Sequence, residues 1–301
     1  FFHMVEFPTT QLGFEQAFST EEACIDYLIQ LRWPEGVKCP HCQSEKLWRS
    51  GHLLQCSVCG RQTRVMAGTI FQDTHLPLMI WYRAIWMIMN QKYGANAMDL
   101  MRLLGISHKT AWNLLHKLRR AMVRPDRDKL YGVVEVDETY IGGSEEGVHG
   151  RQIVHKDIAA IAVEVRGQKL GRIRMRLVET AGPDALIPFI KNNIESGSQV
   201  ITDGWASYSN PQSLGLDHII KTSSSNKKAL PNVHLIISLF KRWILGTFQG
   251  SISKKQFDYY LDEFVFRFNH RTSSTRVKLF QRLMEQAVIT SPVTRFNIKD
   301  I

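Results

Sequence analysis

Residues 132–143 read GVVEVDETYIGG. Val133, Val134, Val136, Tyr140 and Ile141 favour extended backbone and Gly142-Gly143 ends the run, so the stretch predicts a β-strand. Three acids interrupt it: Glu135, Asp137 and Glu138. Carboxylates are depleted in strands, and a buried one without partners is unfavourable. Strand alternation sets Glu135, Asp137 and Thr139 on one face, and Val134, Val136 and Glu138 on the other. A second acid stands in a comparable setting. In SQVITDGWASY (198–208), the strand Val200-Ile201-Thr202 runs straight into Asp203 and a glycine turn. Acids at strand ends, gathered on one sheet, are what a pair of Mg²⁺ ions requires. Hard cations take oxygen ligands, and shared carboxylates hold two ions roughly 4 Å apart.

Working outward, DIAAIAVEVRG (157–167) and GRIRMRLVET (171–180) also alternate like strands, while PDALIPFIKNNIES (183–196) has helical periodicity. After the Ser-rich loop KTSSSNKK (221–228), the pattern predicts helices near 233–245 and 254–269. On the N-terminal side, TEEACIDYLIQLR (20–32) reads as a helix capped by Thr20, with acids in its first turn. The segments divide into an N-terminal helical stretch (1–34), a Cys-punctuated module (35–70), a helical region (75–125), a linker RPDRDK and a large α/β domain (130–301).

Four of the five cysteines form two pairs, Cys39-x2-Cys42 and Cys56-x2-Cys59. Each pair makes a tight knuckle, and the intervening residues can form a hairpin that returns the chain. Four thiolates favour tetrahedral Zn²⁺, and with no open coordination position the ion is structural. Two redox CxxC motifs are the alternative, although such motifs normally come singly at a helix start. Paired CxxC motifs also favour the reducing cytoplasm over a disulfide-rich secreted setting.

Residues 94–122, GANAMDLMRLLGISHKTAWNLLHKLRRAM, read as a helix-turn-helix. Asn96 caps a first helix carrying Met98, Met101, Leu103 and Leu104. Gly105 gives the turn, and Ser107 caps a second helix whose buried stripe is Ala111, Leu114, Leu115 and Leu118. Its outward positions, His108, Lys109, Asn113, Lys117, Arg119 and Arg120, would face a duplex; a helical hairpin that only packs is the alternative.

The 301 residues carry a formal net charge of +10. From His218 to Gln256 there are seven Lys/Arg and no Asp or Glu, which points to a polyanionic partner, nucleic acid first. No run approaches the eighteen apolar residues of a membrane span, and FFHMVEFPTT lacks the features of a secretory signal; Met4 is read as the natural start.

The order of Cys pairs, helix-turn-helix, VEVDETYIGG, ITDGWASY and LFKRWILGTFQGSISKKQFDYYLDEFVFRFNHR (239–271) resembles bacterial insertion-sequence transposases of the DDE, ribonuclease-H-like class with an N-terminal zinc ribbon. That resemblance implies a mixed sheet flanked by helices, with Asp137 on its first strand and Asp203 just after its fourth. It implies Mg²⁺ or Mn²⁺ at these acids, double-stranded DNA (element ends and target) as partner, and a homo-oligomer on DNA. The third ligand departs from the usual pattern, because NVHLIISLFKRW (232–243) contains no acid where many relatives carry Glu. His234 falls at that position, with Asn232 and Glu263 as the alternatives. Neutral imidazole binds Mn²⁺ better than Mg²⁺. Lys241 and Arg242 would hold phosphates, and Trp205 and Tyr208 either stack on an unpaired base or pack. The competing readings are a DNA-binding regulator without catalysis and a nuclease without transposition.

Overall fold

The computed structural model describes residues 8–124, 126–142, 156–208, 214–222, 229–249, 252–273, 277–294 and 298. In chain order the elements are α1 (Gln11–Ala17), α2 (Glu21–Arg32), β1 (Leu47–Ser50), β2 (Leu53–Cys56), β3 (Gln62–Arg64), α3 (Leu78–Asn90), α4 (Ala97–Leu104), α5 (His108–Ala121), β4 (Val133–Ile141), β5 (Asp157–Arg166), β6 (Lys169–Val178), α6 (Pro183–Asn193), β7 (Gln199–Thr202), β8 (Asp217–Ile220), α7 (Pro231–Phe248), α8 (Phe257–Asn269) and α9 (Val277–Ile289). They form two compact units, Phe1–Arg124 with Thr272–Ile301, and Pro125–Arg271.

In the first unit the expected caps are present. Thr20 Oγ1 accepts from the Ala23 N–H at 3.2 Å, Asn96 and Asp99 form a reciprocal capping box, and Ser107 Oγ accepts from Thr110 N–H at 3.1 Å. Gly105 sits at φ 65°, the left-handed turn between α4 and α5 that suits a residue without Cβ. The stripe Ala111, Leu114, Leu115 and Leu118 is buried as expected. One expectation fails. Arg119, read as outward, is only 1% exposed; it lies four residues after Leu115, on the same helix face. On α4 the buried residue is Leu100, whereas Met98 and Leu103 are 41% and 63% exposed.

The unit's core is aromatic: Phe14, Phe18, Tyr82 and Trp86 all lie with ring centroids within 6.0 Å of Phe280. Phe280 belongs to α9, which packs on α2, α3 and α5. The segment 130–301 is therefore not one domain. Its last helix carries an apolar stripe, Leu279, Phe280, Leu283, Met284 and Ala287, that is buried in the first unit.

The second unit is built on a five-stranded sheet of order β6-β5-β4-β7-β8. β4, β5 and β6 form an antiparallel meander, while β7 and β8 run parallel to β4. This is the mixed, ribonuclease-H-like sheet that the resemblance implies. Helices cover both faces. Val134, Val136, Ala160 and Ala162 pack with Leu186, Phe189 and Ile190 of α6; Ala159, Ile161 and Val163 pack with Val233, Ile236 and Phe240 of α7 and Leu261 and Phe264 of α8. The β4 alternation read from sequence thus separates two helix layers. Edge strand β8, four residues long, was not anticipated. Among the described residues no helix is long and apolar enough to cross a membrane.

Candidate active site

The three acids of β4 have three different surroundings. Glu138 faces the α6 layer, where its Oε2 accepts from the Tyr208 hydroxyl at 2.6 Å. Glu135, on the opposite face and 5% exposed, accepts at Oε2 from the N–H groups of Asn232 and Val233, both at 2.9 Å, and at Oε1 from Asn232 Nδ2 at 2.7 Å. Its charge is satisfied by the first turn of α7. Asp137, two residues further along the same face, accepts from the Glu138 N–H at Oδ1 (2.9 Å) and presents Oδ2 to His234 Nε2 at 3.2 Å. The Asp137 side chain is 11% exposed and the His234 side chain 42%, so the pair lies where the buried sheet meets solvent.

Asp203 approaches from the neighbouring strand. β4 and β7 pair in parallel with Val133 opposite Gln199, Val134 opposite Val200 and Glu135 opposite Ile201. Asp203 directly follows Thr202, the last residue of β7, and that register, continued two residues past its last pair, would lead to Asp137. Gly204 then turns the chain at φ +87°, where a Cβ would meet Ile220 Cγ2 at 2.7 Å, so the turn requires glycine. Asp203 Oδ1 accepts from the Trp205 N–H at 3.0 Å. Burial first, then Glu138, Asp137 and Asp203, holds the Tyr208 hydroxyl well above the ordinary tyrosine range; the fields of both aspartates reach this one side chain.

Of the other candidates for third ligand, Asn232 already spends its amide on Glu135. Glu263 is fully buried on α8. That helix lies along β6, with Asp258 accepting from Leu177 N–H and Asn269 from Ile173 N–H. β5 separates β6 from β4, so α8 packs on a strand that does not pair with β4. His234 is the candidate that meets Asp137. A carboxylate–imidazole donor set of this kind fits a divalent ion of the Mg²⁺/Mn²⁺ class, nitrogen favouring Mn²⁺.

Lys241 and Arg242 are exposed on α7, about two turns beyond His234. Partial burial, and then the neighbouring charge of Lys156, lowers the Lys241 pKa. Lys156 precedes β5 and was not singled out from sequence. Trp205 is 39% exposed, its indole N–H donating to Ala181 O at 3.2 Å, whereas Tyr208 is fully buried and packs.

In the ribbon, Cys39, Cys42, Cys56 and Cys59 present sulfur atoms that all lie within 4.8 Å of one another. The pairs Cys39–Cys59 and Cys42–Cys56 are 3.6 and 3.5 Å apart. Tetrahedral Zn²⁺ with sulfur at about 2.3 Å calls for sulfurs about 3.8 Å apart, so the set fits that ion. Turn N–H groups favour the thiolate at two of the four cysteines. Those of Cys42 and His41 pull Cys39 down, and that of Cys59, ahead of Val58, pulls Cys56 down to about 6. The ribbon strands β1-β2-β3 are antiparallel; β1 and β2 join the two knuckles and β3 follows the second.

On α5, His108, Lys109 and Arg120 are exposed and Asn113 is half-buried. Lys117 differs from expectation: its ammonium lies over the Trp81 ring, 6.0 Å from the centroid, and burial lowers its pKa.

Family models and known proteins resemble parts of the chain. Residues 129–269 match the ISXO2-like transposase domain, and residues 19–62 the transposase zinc-ribbon domain. An uncharacterized protein in transposable element ISH50 of Halobacterium salinarum is 30% identical over 142 residues, which is 46% of this chain and 46% of that protein. The chain thus matches about half the length of that relative. Two solved structures, a pre-cleavage Mos1 transpososome and the Mos1 strand transfer complex, align at 14% identity over 71% of this chain and 80% and 79% of theirs. Their TM-scores of 0.26 and 0.30 are too low to carry a fold assignment.

Proposed function

We propose that the chain, in which residues 19–62 match the transposase zinc-ribbon domain and residues 129–269 the ISXO2-like transposase domain, is an insertion-sequence transposase that binds the ends of its element and catalyses metal-dependent DNA cleavage and strand transfer beside Asp137 of β4. The observation that supports this reading is His234 at 3.2 Å from Asp137, with Asp203 directly after β7, the strand that pairs in parallel with β4. Asp137, Asp203 and His234 would hold Mg²⁺ or Mn²⁺, which when bound supplies acidity for the attacking hydroxyl and charge for the departing oxygen.

The protein's own contribution is placement. The Glu138 N–H fixes one oxygen of Asp137, so the carboxylate keeps its orientation towards His234. Lys241, Arg242 and Lys156 supply positive charge beside the site for the phosphates of a bound strand. In cleavage, a water oxygen bonds to the scissile phosphorus and the bond to the 3′ oxygen breaks, leaving a 3′-hydroxyl. In transfer, that hydroxyl oxygen bonds to a target phosphorus and a second 3′ oxygen departs. Each step exchanges one P–O bond for another, so no covalent protein–DNA intermediate is required. The ribbon and the α4–α5 pair would grip DNA, with His108, Lys109, Asn113 and Arg120 on α5 and Lys241 and Arg242 on α7 contributing contacts. Synapsis of two ends implies a homo-oligomer on DNA.

The lack of a Glu in α7 is the one feature that favours a non-catalytic regulator, and His234 answers it by occupying that place. Labelled end DNA with Mg²⁺ or Mn²⁺ tests the proposal. Wild type should join end to target, and Asp137→Asn should lose on the order of a thousandfold in rate while still binding DNA. Cutting without joining would favour a nuclease, and binding alone a regulator.

A further inference from the structure

Glu135 is the acid of β4 that the chemistry leaves unused. Its two oxygens take three hydrogen bonds from the first turn of α7. That helix has no cap of its own: Leu230 stands at the N-cap, no side chain within it caps the free N–H groups, and Pro231 opens the first turn. A helix of 18 residues concentrates partial positive charge at that end, and a buried carboxylate bonded to its N–H groups is stabilised there. The cap is therefore delivered from a neighbouring strand. Its spacing matters. Glu135 and Asp137 are successive residues on one face of β4, and Asn232 and His234 stand two apart on α7, so the pairs Glu135–Asn232 and Asp137–His234 lie in step. Fixing the first pair sets the height and rotation of α7 at the second.

We propose that Glu135 is a positioning residue which, by clamping the first turn of α7 to β4, holds the His234 imidazole in reach of Asp137. The inference rests on the reading of Asp137, Asp203 and His234 as a divalent-metal site. It also explains a carboxylate in the sheet interior that could not itself take a metal without releasing α7. Its closest precedent in kind is the outer-shell group that orients a metal ligand, whose loss typically lowers metal affinity roughly 10–100-fold.

The test uses the full chain and Mn²⁺, with free Mn²⁺ followed by its electron paramagnetic resonance signal. Imidazole resonances of His234 are recorded in the metal-free protein. Glu135→Gln should weaken Mn²⁺ binding roughly 10–100-fold and shift the His234 resonances, with Glu135→Asp restoring part of both. On a His234→Ala background, Glu135→Gln should add almost nothing, because its effect passes through the missing side chain. Should Glu135→Gln fail to fold, Asn232→Ala removes one donor at the surface end of the clamp and carries the same comparison. Unmoved His234 resonances, or a full penalty persisting in His234→Ala, would overturn the proposal. If wild type and Asp137→Asn bind Mn²⁺ equally, the metal reading fails. The metal-free His234 resonances then still decide the clamp, a shift supporting it and no shift ending it.

Discussion

In the ribbon, four sulfur atoms from two turns crowd within 4.8 Å, every ligand lies between residues 39 and 59, and no position is left open. At Asp137 the proposed ligands come from a strand, a residue just past a strand and a helix, spread from residue 137 to residue 234, and the His234 side chain is 42% exposed. Among the described residues, the four cysteines are the set of three or more metal-ligating groups drawn that tightly together. The difference follows from what each ion is for. A structural ion replaces a core that a segment of this size cannot build, so its ligands are local and close the shell. The ion of the proposed DNA site would have to admit phosphate oxygens, so its ligands would be few and held by a fold that is already stable.

Removing each metal should expose the contrast. A strong chelator, or Cys56→Ser, should abolish the ribbon's ordered β-sheet signals in NMR, since structural zinc contributes about 10–16 kcal/mol of apparent folding energy in small modules. Asp137→Asn, or removal of Mg²⁺, should leave the melting of the Pro125–Arg271 unit almost unmoved. Equal loss of structure at both places would break the comparison.

A medium effect should come from His116. It is fully buried against Trp112, ring centroids 4.1 Å apart, and burial first, with Arg119 second, lowers its pKa to about 2. The folded state therefore keeps His116 neutral while the unfolded chain protonates below about pH 6.5. Stability is fully present above that value and falls as pH drops, by about 2 kcal/mol at pH 5 from this group alone. Thermal melting of wild type and His116→Phe across pH 5–8 checks it, the variant showing the shallower dependence.

The smallest effect separates two lysines. Lys109→Ala should weaken binding to end DNA and reduce the salt slope by about one. Lys117→Ala should leave that slope nearly unchanged and lower thermal stability instead, since the side chain covers Trp81. An equal slope change in both would return Lys117 to the DNA-facing set.

How much of this could be read in the residues depends on range. Caps at Thr20, Asn96 and Ser107, the left-handed Gly105 and the cysteine knuckles are local matters, and spacing alone reveals them. Asp137 and Asp203 stand out in the sequence as acids within or just after two strand patterns, but that β4 and β7 are neighbours is a property of the sheet. Glu135 shows the limit most clearly. Alternation placed it beside Asp137, yet its role depends on a helix that begins 96 residues later, and no signal in GVVEVDETYIGG announces that partner. Arg119 could have been placed correctly, since it continues the Leu115 stripe by one turn. Lys117 could not, because its aromatic neighbour belongs to another helix. β8 escaped notice because four residues at a sheet edge, two of them exposed, give too short a pattern.

The return of α9 to the N-terminal unit has a consequence for biosynthesis. A ribosome releases residues 8–124 early, but Phe280, around which their aromatic rings gather, emerges only after the whole Pro125–Arg271 sheet has been made. The half that bears the zinc knuckles is thus begun first and finished last, and a nascent chain stalled near residue 271 would hold a complete sheet beside an unfinished aromatic core.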